Sequence, residues 1–484
     1  MHLNIRPIFL LLAIIAALVM ACTDEVFTSD PSKKLSFSTD TLTFDTVFTT
    51  MGTTTQKLMV YNRNNRALRI NRIGLAAGQN SSFRLNVDGM RNDENEFFDV
   101  EIAAKDSMFI FVEATVNPTE DNSPFLVLDS LVCELNGNKQ HVLLEAFGQN
   151  FNLLKNTHIT SDSTLLPDKP YLVMGNLTVD SAVTLSIAAG CKIYFHNNAN
   201  LVVYGNLASL GTFTSPVEMR GSRLDEVRFT TPVPYNYVAG QWGGVYLLSD
   251  KGSHLFRNTI ITSAYVGLYS PNENRFSLPE IQVENCRIHN FVYYGIVAQN
   301  TNLTVLNSEI SNTGSYTVFL SGGHHVFHQS TIANHYANNS YAPTSRDKTP
   351  AVFIMEMQRI ASMTTEFVNC LVSGSIDNEL AIASKYMSDY DGVFSYSYIK
   401  RKNPYSLSQF QNIRWYKAGD ELFVQSVFNS DSKNYFSFVP DSLSPARNMA
   451  EPVMASRYPT DLNGNNRFAD GNPDVGCYEW ISKY

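Results

Sequence analysis

The sequence predicts an all-β chain: an N-terminal antiparallel β-sandwich, then a right-handed parallel β-helix with a C-terminal cap. Three observations carry this. Residues 35–150 are short alternating strands divided by polar turns. Residues 175–217 are brief runs of Leu, Ile and Val broken by Gly and Asn every eight to ten residues or so. Beyond them, one phrase of amide, small residue, any residue, Ile, any residue, Asn recurs as "NCRIHN" (285–290), "NSEISN" (307–312) and "QSTIAN" (329–334), a period of 22.

Residues 1–21 place Arg6 before an apolar run from Pro7 to Met20, the layout of an export signal and too short to span a bilayer comfortably. "LVMAC" resembles the bacterial lipobox, which implies lipidation at Cys22 and anchoring of the mature chain through acyl groups. Asp24 and Glu25 directly after it resemble the surface-export signals of Bacteroidetes-type lipoproteins. The expected location is the outer membrane, on the cell surface, with residues 22–34 as a tether.

The balance of 36 Lys+Arg against 45 Asp+Glu gives a net charge of −9, and no basic cluster is long enough to follow a phosphate backbone. Nucleic acid is therefore not an expected partner. After Cys22, cysteines 133, 191, 286, 370 and 477 are scattered without CxxC spacing, which favours buried free thiols over a disulfide framework.

In residues 35–150 the alternation in "LSFSTDTLTFDTVF", "LRINRIGL" and "DSMFIFVEATV" places one face of each strand in a core. The order of phrases, with "FDTVF" (44–48) and "LEAFGQN" (144–150), resembles the immunoglobulin-like modules that precede larger domains in surface lipoproteins. Such a module implies a spacer.

The β-helix is expected over residues 155–425, with last coils and cap over 426–484. Overlaying the three copies assigns every position to a column. Ile281, Leu303 and His325 share one core column, Val283, Val305 and Phe327 another, and Ile288, Ile310 and Ile332 a third. Asn285, Asn307 and Gln329 become an amide ladder, each donating to the next. Arg287 and Glu309 become neighbours on the outer face, and Cys286 and Cys370 fall three turns apart, ~14 Å at ~4.8 Å per turn, too far for a disulfide.

The phrases from "LTVDSAVTLSIAAG" (177–190) to "QWGGVYL" (241–247), with the ending "DLNGNNRFADGNPDVGCYEW" (461–480), resemble the right-handed β-helix repeat proteins of the pectin-lyase-like superfamily. The resemblance covers about residues 155–484 and is specific for fold, since the superfamily holds lyases, hydrolases and adhesins. The complete catalytic phrases of its pectate lyases and polygalacturonases are not found; "SGGHHVF" (321–327) and "RIH" (287–289) fail on flanking residues.

Glu280, Glu284 and Glu309 are expected as solvated face charges rather than a catalytic pair. His324 and His328 lie four residues apart on one strand, ~13 Å, too far to share a metal, while His325 sits in a core column. Asp461, Asn463 and Asn465 begin like a Ca²⁺ loop, but Asn466 stands where glycine belongs and Asn472 where glutamate belongs. A capping turn in which Arg467 pairs Asp474 or Glu479 is favoured; Ca²⁺ is the alternative, and no other cofactor is expected.

The insertion 335–350 offers Tyr336, Asn338, Asn339, Tyr341 and Arg346 as ligand-binding residues that suit a sugar. The aromatic-rich stretch 386–416, with Trp415, is a second candidate surface. The functional expectation is noncatalytic binding or adhesion towards a polysaccharide or an envelope protein, the alternative being a polysaccharide lyase or glycoside hydrolase acting on an outer face.

Overall fold

The computed structural model describes residues 26–53, 55–120, 122–228, 232–336, 345–356, 361–384, 390–427 and 436–482. The chain divides after Asn150 into two compact units. Cys22, Asn338, Asn339 and Tyr341 lie outside the described residues.

The first unit is a two-sheet sandwich. Thr41–Phe48, Asn138–Gln149, Phe125–Leu135, Leu68–Leu75 and Glu96–Ile102 form one sheet in that order; Ser36–Phe37, Gln56–Tyr61, Ser107–Ala114 and Phe83–Val87 form the other. Strict alternation, as in Ser107–Ala114, sends every second side chain inward, so Leu58, Ile70, Phe83, Ile110, Leu131 and Val142 form one core. One pairing departs from the antiparallel expectation: Thr41–Phe48 runs parallel to Asn138–Gln149. Part of the stretch expected as a leash is held to this sandwich. Phe27 bridges Ala67 with the Arg69 guanidinium 4.3 Å above its ring, and Asn138 Nδ2 donates to the Pro31 carbonyl at 2.8 Å.

In the second unit each coil has three strands, for example Glu280–Glu284, Arg287–Phe291 and Tyr294–Gln299. These stack in parallel on Asn302–Leu306, Glu309–Thr313 and Val318–Ser321 of the next coil. The first ladder has ten strands, from Ser163–Leu165 to Phe410–Gln411; the second and third join around a corner into one sheet of eighteen. Ile281, Leu303 and His325 pair in register, as do Val283, Val305 and Phe327, and Ile288, Ile310 and Ile332. All are buried, each apolar member contributing about 1.5–3 kcal/mol of transfer free energy. Further along, Phe327, Phe367, Phe394 and Phe410 stack ring on ring at 4.5, 4.8 and 4.7 Å. The described part of 386–416, from Tyr390 onward, is therefore largely structural. It builds the last coils, with Tyr390, Phe394 and Tyr398 buried and Trp415 packed against the core.

Backbone geometry explains the recurring amides. Asn258, Asn285, Asn307, Gln329 and Asn369 all turn the first corner with positive φ (43°, 53°, 45°, 49° and 56°), a conformation that asparagine tolerates better than most residues. Asn290 and Asn312 do the same at the next corner, with φ of 64° and 52°. The small residue of the phrase forms an internal ladder: Cys286 N–H donates to Ser308 Oγ at 3.0 Å and Ser308 N–H to Ser330 Oγ at 3.3 Å. A larger side chain there would displace these buried bonds. Cys133, Cys191, Cys286, Cys370 and Cys477 are all buried free thiols.

The amide ladder is interrupted. Asn307 Nδ2 donates to Asn285 Oδ1 at 2.7 Å, and Asn369 Nδ2 to Gln329 Oε1 at 2.9 Å. Between Asn307 and Gln329 the C-terminal segment intervenes: Arg467 Nη2 donates to Asn307 Oδ1 at 2.5 Å, and Gln329 Nε2 donates to the Asp474 carbonyl at 2.7 Å. The cap expected at the chain's end therefore lies along the flank of these coils, where Leu462, Val475, Cys477 and Tyr478 pack with Ala333, Leu371 and Tyr398. Arg467, wholly buried, sits 3.6 Å from Glu479.

Candidate functional site

The third ladder carries a column of aromatic side chains on its outer face. Its strands alternate: Val245, Leu268, Ile296, Val318 and Val352 point into the core, and the residues after them point out. In register, Tyr246 pairs with Tyr269, Tyr269 with Val297, Val297 with Phe319, and Phe319 with Phe353. At the corner before these strands stand Tyr265, Tyr293 and Tyr316, with Tyr294 beside them.

These rings form two groups of contacts, separated in the register by Val297. Tyr246 meets Tyr269 at 5.7 Å and Tyr265 meets Tyr293 at 6.0 Å; Tyr293 meets Tyr294 at 6.2 Å and Tyr294 stacks on Tyr316 at 6.3 Å. Tyr316 stacks on Phe353 at 4.9 Å, and Phe319 closes the group at 5.9 Å from Phe353. Each ring half-buries its neighbour, which holds the column in place before any ligand arrives. Tyr293 and Tyr265 remain the most open members, 50% and 38% exposed. Burial pushes the hydroxyls of Tyr246 and Tyr294 above their ordinary range, so both keep their protons and act as donors and acceptors at neutral pH.

The residues expected to bind ligand are placed differently. Tyr336 is wholly buried, clustered with Ala239 and Val292. Arg346 turns inward and pairs with Glu379, side chains 1% and 0% exposed; its Nη1 donates to Glu379 Oε1 at 2.9 Å and to the Asn334 carbonyl at 2.6 Å. Neither lines a surface, because the start and end of the insertion fold back onto the coils.

Asp461 is buried and its carboxylate is filled from within. Oδ1 accepts from the Asn463 and Asn465 N–H groups at 2.9 and 2.7 Å, and Oδ2 from Asn465 Nδ2 and Glu479 N–H at 3.0 and 2.9 Å. Asn463 Oδ1 accepts from Arg287 at 2.9 Å. This donor-filled turn does not fit a cation. Among the described residues no group of three or more His, Cys, Asp or Glu side chains is placed to hold a metal.

The outer carboxylates do not converge. Glu280 is exposed, Glu284 pairs with Arg257 at 2.9 Å, and Glu309 is buried, accepting from Tyr478 Oη at 2.5 Å and Ser311 Oγ at 2.6 Å. Arg287 and Glu309 pair in register, but the C-terminal segment covers them, so they make no exposed ion pair. His328 is likewise covered, its Nε2 2.7 Å from Glu366 and its Nδ1 3.4 Å from Tyr458 Oη, and His335 lies flat on Phe438 at 5.8 Å.

The aromatic column was not read from the sequence. Its signal is present in "GVYL", "GLYS", "TVFL" and "AVFI", where an outward aromatic follows a buried aliphatic residue in four of the five coils, Val297 taking that place in the other.

The family model for the right handed beta helix region matches residues 132–334 and 231–386, together more than half of the chain. The chain belongs to the right-handed β-helix family. No curated protein is found similar to this β-helix protein. Among solved structures it is similar over short stretches to the Vibrio cholerae VesB protease, at 10% identity and TM-score 0.18, covering 24% of this chain and 32% of that one. It is similar also to the ASH/PapD-like domain 7 of human CEP192, at 13% identity and TM-score 0.17, covering 26% and 92%. A third is a family 123 glycoside hydrolase from Clostridium perfringens, at 7% identity and TM-score 0.17, covering 25% and 30%. The chain spans about a third of the length of the first of these, and none of the three bears on function.

Proposed function

We propose that this protein is a lipid-anchored surface protein, held at Cys22 in the outer membrane, whose immunoglobulin-like sandwich is a spacer and whose β-helix binds glycan without cleaving it. The observation that supports this most is the aromatic column from Tyr246 to Phe353. It runs along the tube axis over five coils, the direction in which an extended chain of sugars would lie, and offers ring surface with phenol hydroxyls between. Cleavage would call for two facing carboxylates or a comparable acid–base set along that face. The outward positions in register there are Tyr246, Tyr269, Val297, Phe319 and Phe353, with Asp347 the carboxylate that acts on Tyr294.

The test uses the chain from Thr23 onward and a panel of neutral and acidic polysaccharides, with and without Ca²⁺, recording binding and new reducing or unsaturated ends. Binding without new ends is expected. The double variant Tyr293→Ala/Tyr316→Ala should weaken it by about tenfold or more, as two stacking contacts of about 1 kcal/mol each imply. New ends would establish the lyase or hydrolase reading instead, and unchanged binding by the double variant would place the ligand elsewhere.

A further inference from the structure

A polar cavity of about 310 Å³ opens on the flank of the second ladder, where the C-terminal segment crosses two adjacent coils. Its floor is two-by-two: Arg287 pairs with Glu309 and His289 with Ser311 across one strand spacing. Tyr237 stands at one wall, its ring 6.4 Å from that of His289. Phe438 and Tyr478 close the other side.

The charges inside cancel. Arg287 already donates to Tyr478 Oη at 3.3 Å, the Leu462 carbonyl at 3.0 Å and Asn463 Oδ1 at 2.9 Å. Glu309, which accepts hydrogen bonds from Ser311 and Tyr478, sits one rung away, so an anionic ligand drawn to Arg287 would meet a carboxylate. Burial lowers the pKa of His289 and leaves its imidazole neutral at pH 7.

Two groups at the cavity are unspent. Asn290, nine-tenths buried and more, has a side-chain oxygen with no hydrogen-bond partner. Among the described residues the His289 ring meets Tyr237 and feels the charges of Glu309 and Arg287, with no hydrogen bond to either nitrogen. An orphaned buried acceptor costs roughly 1–3 kcal/mol unless a donor arrives. An imidazole adds one further donor and one acceptor. A hydroxyl both donates and accepts, so a ligand with neighbouring hydroxyls answers this set, and the aromatic walls suit its apolar face. The volume lies at the lower end of small-molecule sites, about 300–1,000 Å³, which excludes a long chain.

We propose that this cavity binds one neutral polyhydroxylated unit, a single hexose-sized sugar, as a site separate from the aromatic column. It stands whether or not the column binds glycan. The test titrates the purified full chain calorimetrically with glucose, galactose, N-acetylglucosamine and glucuronate, up to millimolar concentrations. One saturable site for a neutral sugar is expected, about tenfold weaker in His289→Ala, partly restored in His289→Gln and unchanged in Tyr293→Ala/Tyr316→Ala. No saturable binding of any neutral sugar would overturn the proposal, as would binding confined to glucuronate or binding indifferent to His289→Ala. A thermal melt of each variant separates a lost site from a lost fold. Loss of polysaccharide binding with this site intact would refute only the reading of the column.

Discussion

At the scale of single residues, the histidines show how a position in the coil sets chemistry. His254 and His325 occupy the core column of Ile281 and Leu303, and burial lowers their pKa values to about 4 and about 3. The unfolded chain takes up these protons near pH 6.5, so native stability is complete above that pH and is lost as pH falls towards the folded values. His254→Leu, which suits its column, should shrink the loss of stability between pH 7 and pH 5 by about 2 kcal/mol, read from urea midpoints at the two pH values. An unaltered loss would mean that His254 is protonated in the folded state. Arg346 and Glu379 make the complementary case. Glu379→Ala leaves a guanidinium buried without its partner and should cost about 3–5 kcal/mol, while Arg346→Met with Glu379→Leu should recover most of it. Equal destabilisation by the single and double variants would contradict this account. That His325 enters the core was legible from the 22-residue register, because strand alternation is local. That Arg346 turns inward was not, because its partner Glu379 stands 33 residues further on, in another coil.

At the scale of elements, the repeated phrase is a coil written once per turn. Amides mark the left-handed corners, the small residue lets neighbouring backbones bond through Ser308 and Ser330, and isoleucine fills the tube. Asn307 joins this coil to the C-terminal segment through bonds to Asn285, the Thr460 carbonyl and Arg467. Asn307→Ala removes all three and strains a positive φ, so a loss of about 3 kcal/mol is expected in chemical denaturation. Asn307→Gly should recover about 1 kcal/mol by relieving the backbone alone. If alanine and glycine proved equal, corner geometry would not be the reason for asparagine. The column Asn285, Asn307, Gln329 was readable from spacing, but its interruption by Arg467 was not: nothing local to residue 467 says which turn it will enter.

At the scale of the whole molecule, two units with separate cores predict two unfolding transitions. The sandwich core holds residues such as Phe83 and Ile110, the tube core residues such as Ile288 and Phe367, and neither cluster contains members of the other. Calorimetry of the full chain should resolve two transitions, and the fragment 151–484 should reproduce one of them. A single cooperative transition would show that the units unfold as one.

The sequence by itself determined the all-β class, the division near residue 150 and the stacking register of the coils. Each of these depends on alternation within a strand or on repetition from one turn to the next, interactions whose range along the chain is about 22 residues. Only the tertiary structure decided which outer faces stay open. Tyr478 reaches Glu309 across 169 positions and Arg287 across 191, and these contacts cover one flank while the aromatic column on another stays in solvent. A repeat carries its own register in every copy, whereas a segment that folds back from the chain's end chooses its place by the shape and charge of surfaces that exist only once the coils are stacked.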